Sequence, residues 1–289
     1  MSIKAILRFV INRVAVLIGP ETMLKMEAKI RFGKTINLDE PQTLSDKICY
    51  LEFRDTDSLV EMCSDKYAVR NYVSSKGLEH LLVPLIGDVY EREDEIDFGS
   101  LPHRFVLKAT YGCQMNLICD NKEEFNFDKA KKIMNGWIHN GFNRDAQEPH
   151  YKNIQHRVIC EQFLDGAETI LDYKIHCFNG KPVFILVCSE RYKGLKLNVY
   201  DLELQPMDVI CGKYKNDKEI KKPTRLLEML EISKCLSKDF RFVRVDLYQI
   251  EEKVYFGELT FTPDGGMLSY FTGEFDKNMG QLLFLEERK

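Results

Sequence analysis

The chain has 289 residues, 44% hydrophobic and 30% charged, with 41 Lys+Arg against 45 Asp+Glu and a net charge of −4. That composition excludes disordered, collagen-like and membrane-spanning chains, and the near balance of charge leaves no global basic field to recruit nucleic acid. Nine cysteines with no CxxC pair point to free thiols in a reducing compartment and argue against a zinc site.

In chain order, residues 3–18 come first. Ile3, Ile6, Leu7, Val10, Ile11, Val14, Leu17 and Ile18 recur at three-and-four spacing, with Lys4, Arg8, Asn12 and Arg13 on the other side, which predicts a basic amphipathic helix. Arg8 and Arg13 interrupt the apolar run and no small-residue cleavage site follows, so neither a signal peptide nor a span of about 20 apolar residues is expected. The expected location is the cytoplasm. Two uses of this helix stand: packing on the protein's own core, or peripheral docking on the anionic inner face of the cell membrane.

Pattern changes divide the rest. Residues 1–40 are the amphipathic helix and a linker, and 41–100 form a helical region. Within it Thr43-Leu44-Ser45-Asp46-Lys47 reads as a capped helix start, and Ser64-Asp65 precede a helix predicted over 66–75. Residues 101–168 carry the short apolar run 105–107 and a polar helical section near 125–142. From 169 to 289 strands dominate, at 174–177, 183–188, 242–248 and 254–259, with Asn179-Gly180 and Glu251-Glu252 as hairpin turns and a helix over 222–236. The predicted fold class is α+β.

Several polar groups sit on those strands. Lys108 ends an apolar strand ahead of Ala109-Thr110-Tyr111-Gly112-Cys113-Gln114, where a compact ammonium and turn amides suit a phosphate, or where the charge is simply solvated. Glu161 and Glu168 lie across a turn and suit a ribose or an amine, or solvent. Asp172, Lys174 and His176 share one face of their strand, a pattern often belonging to the wet side.

Pairing through the Glu251-Glu252 turn puts Asp246 opposite Glu258. Two facing carboxylates repel unless a cation lies between them, and magnesium with phosphate oxygens is the usual occupant. Arg244, on the same face, adds a planar donor for a phosphoryl group or a carboxylate.

In this order, Asp65-Lys66, Lys108 before a glycine turn, Glu161 with Gly166 and Glu168, and Arg244, Asp246 and Glu258 resemble the ATP-grasp superfamily. PQTLSDKI, SDKYAVRNYV, LPHRFVLKATYG, VICEQFLDG, DYKIHCFNGKP and FGELTFTPDGG look like its branch typified by the teichuronopeptide biosynthesis protein, over about 41–266. The resemblance implies an ATP-grasp fold in which two α+β subdomains, 101–168 and 169–289, clamp ATP behind a helical N-terminal region. It implies a carboxylate–amine ligase working through an acyl phosphate, with ATP and Mg2+ as cofactors. Its expected substrates are a uronic acid-containing saccharide of a bacterial surface polysaccharide and an amino acid or small amine.

By the same resemblance Lys108, Gly112, Glu161, Glu168 and Lys174 hold the nucleotide, with Glu161 beside the adenine. Asp246, Glu258 and Thr260 hold the metal. Arg244 meets the acyl phosphate, and the basic cluster Arg191, Lys193 and Lys196 lies where such enzymes have a loop that closes on the γ-phosphate, or is plainly solvated. Two departures stand out: the turn after Lys108 has one glycine, and Thr260 occupies a position where the superfamily usually has asparagine. Two other readings remain. Asp55-Thr56-Asp57 is a DxD that suits a glycosyltransferase, and the departures suit a nucleotide-binding protein without catalysis.

Overall fold

The predicted helix start at Thr43 is present in the computed structural model, which describes residues 19–55, 57–140, 148–165, 171–189, 196–216, 218, 220 and 222–286. The helix expected over 3–18, and Thr56, Glu168, Arg191 and Lys193, lie outside the described residues. Helix α1 (Pro20–Phe32) opens on a proline, ends on the left-handed Gly33, and packs Leu24 and Ala28 against Ile36, Leu38, Cys49 and Met267. In α2 (Leu44–Arg54) the Thr43 hydroxyl accepts from the Asp46 amide at 3.0 Å while the Asp46 carboxylate accepts from the Thr43 amide, a reciprocal cap.

Two short helices follow, α3 (Ser58–Ser64) and α4 (Val69–Ser75). The second starts at Val69 and not at the predicted 66. Lys66 is withheld from it because its amide donates to the Thr110 carbonyl at 2.6 Å, and the Asp65 carboxylate takes the amides of Tyr67 and Ala68. The DxD aspartates have local structural uses: Asp57 caps α3 through the Leu59 amide at 2.8 Å, and Asp55 pairs with Arg241 at 3.2 Å.

A three-stranded antiparallel sheet, in the order β2–β1–β3, comprises β1 (Phe105–Ala109), β2 (Asn116–Cys119) and β3 (Val158–Gln162). Helix α5 (Phe127–Asn140) covers it, burying Ala130 and Met134 against Phe105, Leu107, Val158 and Cys160. The edge strand β2, four residues with a partly exposed face, carried no alternation strong enough to be predicted.

The second sheet runs β7–β6–β5–β4–β8–β9 and is antiparallel throughout. Its strands are β4 (Asp172–Phe178), β5 (Lys181–Ser189), β6 (Lys196–Tyr200), β7 (Pro206–Met207), β8 (Phe242–Ile250) and β9 (Lys253–Thr260). The predicted turns are there, with Asn179 and Gly180 left-handed between β4 and β5 and Glu251 left-handed between β8 and β9. On one face Tyr173, Ile175, Cys177, Val243 and Val245 meet Met229, Ile232 and Leu236 of α6 (Leu226–Ser237), which begins four residues after the predicted 222.

On the other face Phe178, Phe184, Leu186 and Phe242 meet Leu44 and Ile48 of α2 and Phe275 of α7 (Gly273–Leu282). Lys174, His176, Arg244 and Asp246 share that covered face, so the charged side of β4 is buried: His176 is 0% and Lys174 6% exposed. Among the described residues no helix is long and apolar enough to cross a membrane.

Candidate active site

The β8–β9 hairpin supplies the densest polar cluster. Asp246 is the register partner of Glu258 and Arg244 of Thr260. Next along β8, Leu247 pairs with Phe256, so Gly257 is an extra residue that bulges β9 and brings Glu258 opposite Asp246. Only a side chain as small as hydrogen fits there, since a Cβ on Gly257 would lie 2.9 Å from the Asp246 carbonyl oxygen.

Arg244 joins the cluster. Its Nε donates to Asp246 Oδ1 at 2.6 Å and its Nη2 to Asp246 Oδ2 at 2.7 Å, to Thr260 Oγ1 at 3.0 Å and to Glu258 Oε1 at 3.3 Å. The Thr260 hydroxyl donates in turn to Glu258 Oε1 at 3.1 Å. From β4 the Lys174 ammonium bonds Asp246 Oδ2 and lies 3.7 Å from Asp172.

The Arg244 guanidinium thus bonds both of the facing carboxylates, Asp246 and Glu258. Burial pushes the Asp246 carboxyl up, but Arg244 and Lys174 outweigh it and bring it down to about 2. Burial likewise works against the Arg244 charge, and Asp246 and Glu258 more than restore it. Beneath Arg244, His176 stacks on Phe184 at 4.2 Å and is held neutral, its pKa pushed down to about 3 by burial and by the guanidinium.

A second cluster lies at the turn after β1. Gly112 is left-handed there, and its carbonyl accepts from the Lys66 ammonium at 2.5 Å. Burial lowers the Lys66 pKa, with Glu258 raising it and Lys108 lowering it, so the Lys66 ammonium lies in the fields of the hairpin carboxylate and the neighbouring lysine. Lys108 pairs with Glu161 on the adjacent strand at 2.5 Å, and Arg70 of α4 approaches the same carboxylate at 3.8 Å. Glu161, expected beside an adenine, thus stands between two cations.

After β9 comes the loop Pro263-Asp264-Gly265-Gly266, in which Asp264, Gly265 and Gly266 are all left-handed. A Cβ on Gly266 would lie 2.7 Å from Cys49 Sγ, so this loop is seated directly on α2. Tyr270 follows, its phenol pushed up by burial and lying within the fields of Arg244, Asp264 and Asp246.

The fold brings Lys174, Arg244, Asp246, Glu258 and Thr260 into one cluster and Lys108, Gly112 and Glu161 into the other. Arg70 and Tyr270 went unassigned in the sequence, and Lys66 carried no role there beyond its place in the resemblance. The SDK run was the one available signal for Lys66, while nothing short-range marked Arg70, whose partner lies across the sheet edge.

The donors suit a hard divalent cation shared with phosphate: two carboxylates in register and a neutral hydroxyl. No group of three His, Cys, Asp or Glu that could hold a metal occurs among the described residues.

The sequence profile of the TupA-like ATP-grasp family matches residues 46–284. Among solved structures the chain is similar to the D-alanine–D-alanine ligase of Bacillus anthracis, at 16% identity over 76% of this chain and 63% of that one, TM-score 0.45. It is similar too to the phosphoribosylamine–glycine ligase of Thermotoga maritima, at 17% identity over 72% and 51% of the two chains, TM-score 0.44. The L-amino acid ligase of Bacillus licheniformis gives 15% identity over 72% and 43%, TM-score 0.43. This chain thus spans 63% of the length of the Bacillus anthracis ligase. Comparison with curated proteins yields no match.

Proposed function

The chain belongs to the TupA-like ATP-grasp family over residues 46–284, and we propose from this that it is an ATP-dependent ligase joining a carboxylate to an amine. One observation carries the reading beyond membership: Arg244 bonds Asp246, Glu258 and Thr260 together on a hairpin whose Glu258 acts on the Lys66 ammonium of the glycine turn. Cations that suit phosphate oxygens are thereby set against carboxylates that suit a metal.

In the proposed reaction a carboxylate oxygen of the acceptor attacks the terminal phosphorus of ATP and ADP departs. An amine then attacks the carbonyl carbon of the acyl phosphate, the acyl C–O bond breaks, inorganic phosphate leaves with that oxygen and the bonding electron pair, and the amine nitrogen gives up a proton as the amide forms. Lys66 and Lys108 hold the phosphate chain as compact point charges. Arg244 presents a preorganised planar donor to the acyl phosphate and to the oxyanion of the tetrahedral intermediate, where such stabilisation is largest.

Asp246 and Glu258 would hold magnesium, with the Thr260 hydroxyl as a weaker neighbour, and the ion would neutralise charge on the phosphates. Lys174 keeps Asp246 ionised. The glycosyltransferase reading has lost its DxD, since Asp55 and Asp57 serve an ion pair and a cap.

The proposed acceptor is the carboxylate of a uronic acid in a bacterial surface polysaccharide or its precursor, and the proposed amine an amino acid or small amine. Family membership supports this choice. Residues 3–18 are proposed to dock on an anionic membrane, which would bring the enzyme to a lipid-linked or polymeric acceptor. Incubating the purified protein with ATP, magnesium and a panel of uronic acids and amines tests the function. ADP and an amide product are expected only when both partners are present, and a protein that binds ATP yet releases ADP with no pair would overturn the ligase reading.

A further inference from the structure

Lys66 belongs to no helix and no strand, yet its ammonium is held at one spot above the glycine turn. A four-carbon side chain loses much rotamer freedom when fixed, so its backbone must be pinned from elsewhere. The residue beside it does this. Asp65, 4% exposed, accepts the amides of Tyr67 at 2.7 Å and Ala68 at 3.1 Å on Oδ1, and the Arg157 guanidinium at 2.8 Å on Oδ2.

Arg157 comes from the segment leading into β3 and lies over the Tyr67 ring at 5.1 Å. Its main chain is stitched to Thr110: the Thr110 amide donates to the Arg157 carbonyl at 2.9 Å and the Arg157 amide to Thr110 Oγ1 at 3.3 Å. The Thr110 carbonyl receives the Lys66 amide at 2.6 Å. Three segments far apart in sequence therefore close a ring around Lys66, and Asp65–Arg157 is the ion pair in that ring.

We infer that the Asp65–Arg157 pair is a positioning element for the Lys66 ammonium, and through it for the phosphates of ATP; the inference rests on the ATP-dependent reading above. Asp65 and Arg157 direct these contacts to Tyr67, Ala68, Thr110 and each other, so they act through Lys66. Their effect falls on the phosphates alone.

The test uses Asp65→Asn, in which the amide oxygen still accepts from Tyr67 and Ala68 while the ion pair is lost. ATP and adenosine affinities are measured by calorimetry for wild type, Lys66→Ala, Asp65→Asn and the double variant. Asp65→Asn is expected to weaken ATP roughly tenfold, the size of one charge-assisted contact, and to leave adenosine, which lacks phosphates, within about twofold. The double variant is expected to bind ATP no more weakly than Lys66→Ala, because both changes remove the same contact.

Arg157→Gln is expected to match Asp65→Asn and serves if that variant does not fold. Equal weakening of ATP and adenosine, wild-type ATP affinity in Asp65→Asn or in Lys66→Ala, or losses that add in the double variant would each overturn the inference while leaving the ligase reading intact. Absence of ATP binding by the wild type would overturn the ligase reading itself.

Discussion

Asp246 and Glu258 face each other across the β8–β9 hairpin, and the Arg244 Nη2 group reaches both, at 2.7 and 3.3 Å. The two carboxylates are unequal in surroundings, with Asp246 buried between Arg244 and Lys174 and the Glu258 side chain 37% exposed. Substituting them therefore has different consequences.

Glu258→Gln is expected to fold normally and to lower ADP formation by roughly 100-fold or more, the scale of several kcal/mol of lost charge stabilisation. Asp246→Asn is expected to lose activity and also about 3 kcal/mol of stability, because it removes the carboxylate that two buried cations share and leaves them only the longer contacts to Glu258 and Asp172. Urea unfolding beside an ADP assay separates the two effects. Near-normal turnover in Glu258→Gln would remove it from the catalytic set.

The bulge at Gly257 sets where Glu258 points. A Cβ there would come 2.9 Å from a backbone oxygen, an atom that cannot swing aside. Gly257→Ala is expected to cost about 1–3 kcal/mol of stability and to lower kcat more than the Kd for ATP changes, since the strain displaces the hairpin and not the glycine turn. Unaltered kcat with lowered stability would show that the bulge serves folding alone.

His176 makes stability sensitive to acid. Its folded pKa of about 3 lies below the ordinary 6.5, so the unfolded chain takes up the proton first. Its contribution is complete above pH 6.5 and erodes by about 1.4 kcal/mol per pH unit as the pH falls from there towards 3. In His176→Phe a ring remains to stack on Phe184, and the stability curve between pH 6.5 and 4.5 is expected to be shallower by about one proton. Parallel curves for the two proteins would assign the acid sensitivity elsewhere.

Deleting residues 2–18 tests the membrane proposal. Co-sedimentation with phosphatidylglycerol-containing vesicles is expected to fall at least about tenfold and to become insensitive to salt, as loss of a basic amphipathic helix requires. Undiminished binding together with lost solubility would mean that the segment packs on the protein.

Much of this arrangement was legible because its signals are short-range. The Thr43–Asp46 cap, the Asn179-Gly180 turn and the opposition of Asp246 to Glu258 each follow from residues that are neighbours in the chain or across one tight hairpin. Lys66 was harder. Its pattern read as the first turn of a helix, and only the Thr110 carbonyl, 44 positions away, turns it toward the glycine loop.

Burial of the β4 charges was hidden for the same reason. Strand alternation tells which residues share a face, but what covers the Lys174 face are α2 and α7, from opposite ends of the chain. Similarly, the guanidinium that bonds both Asp246 and Glu258 comes from two positions before Asp246, and strand register alone does not tell that it turns onto its own neighbours.

The most direct measurement of the central claim follows an oxygen atom. With an acceptor whose carboxylate carries oxygen-18, the label is expected to appear in the inorganic phosphate released, in step with ADP and amide formation, because the carboxylate oxygen attacks phosphorus and leaves with it. ADP and amide formed with unlabelled phosphate would contradict an acyl phosphate, and consumption of a sugar nucleotide without ATP would contradict the ligase assignment altogether.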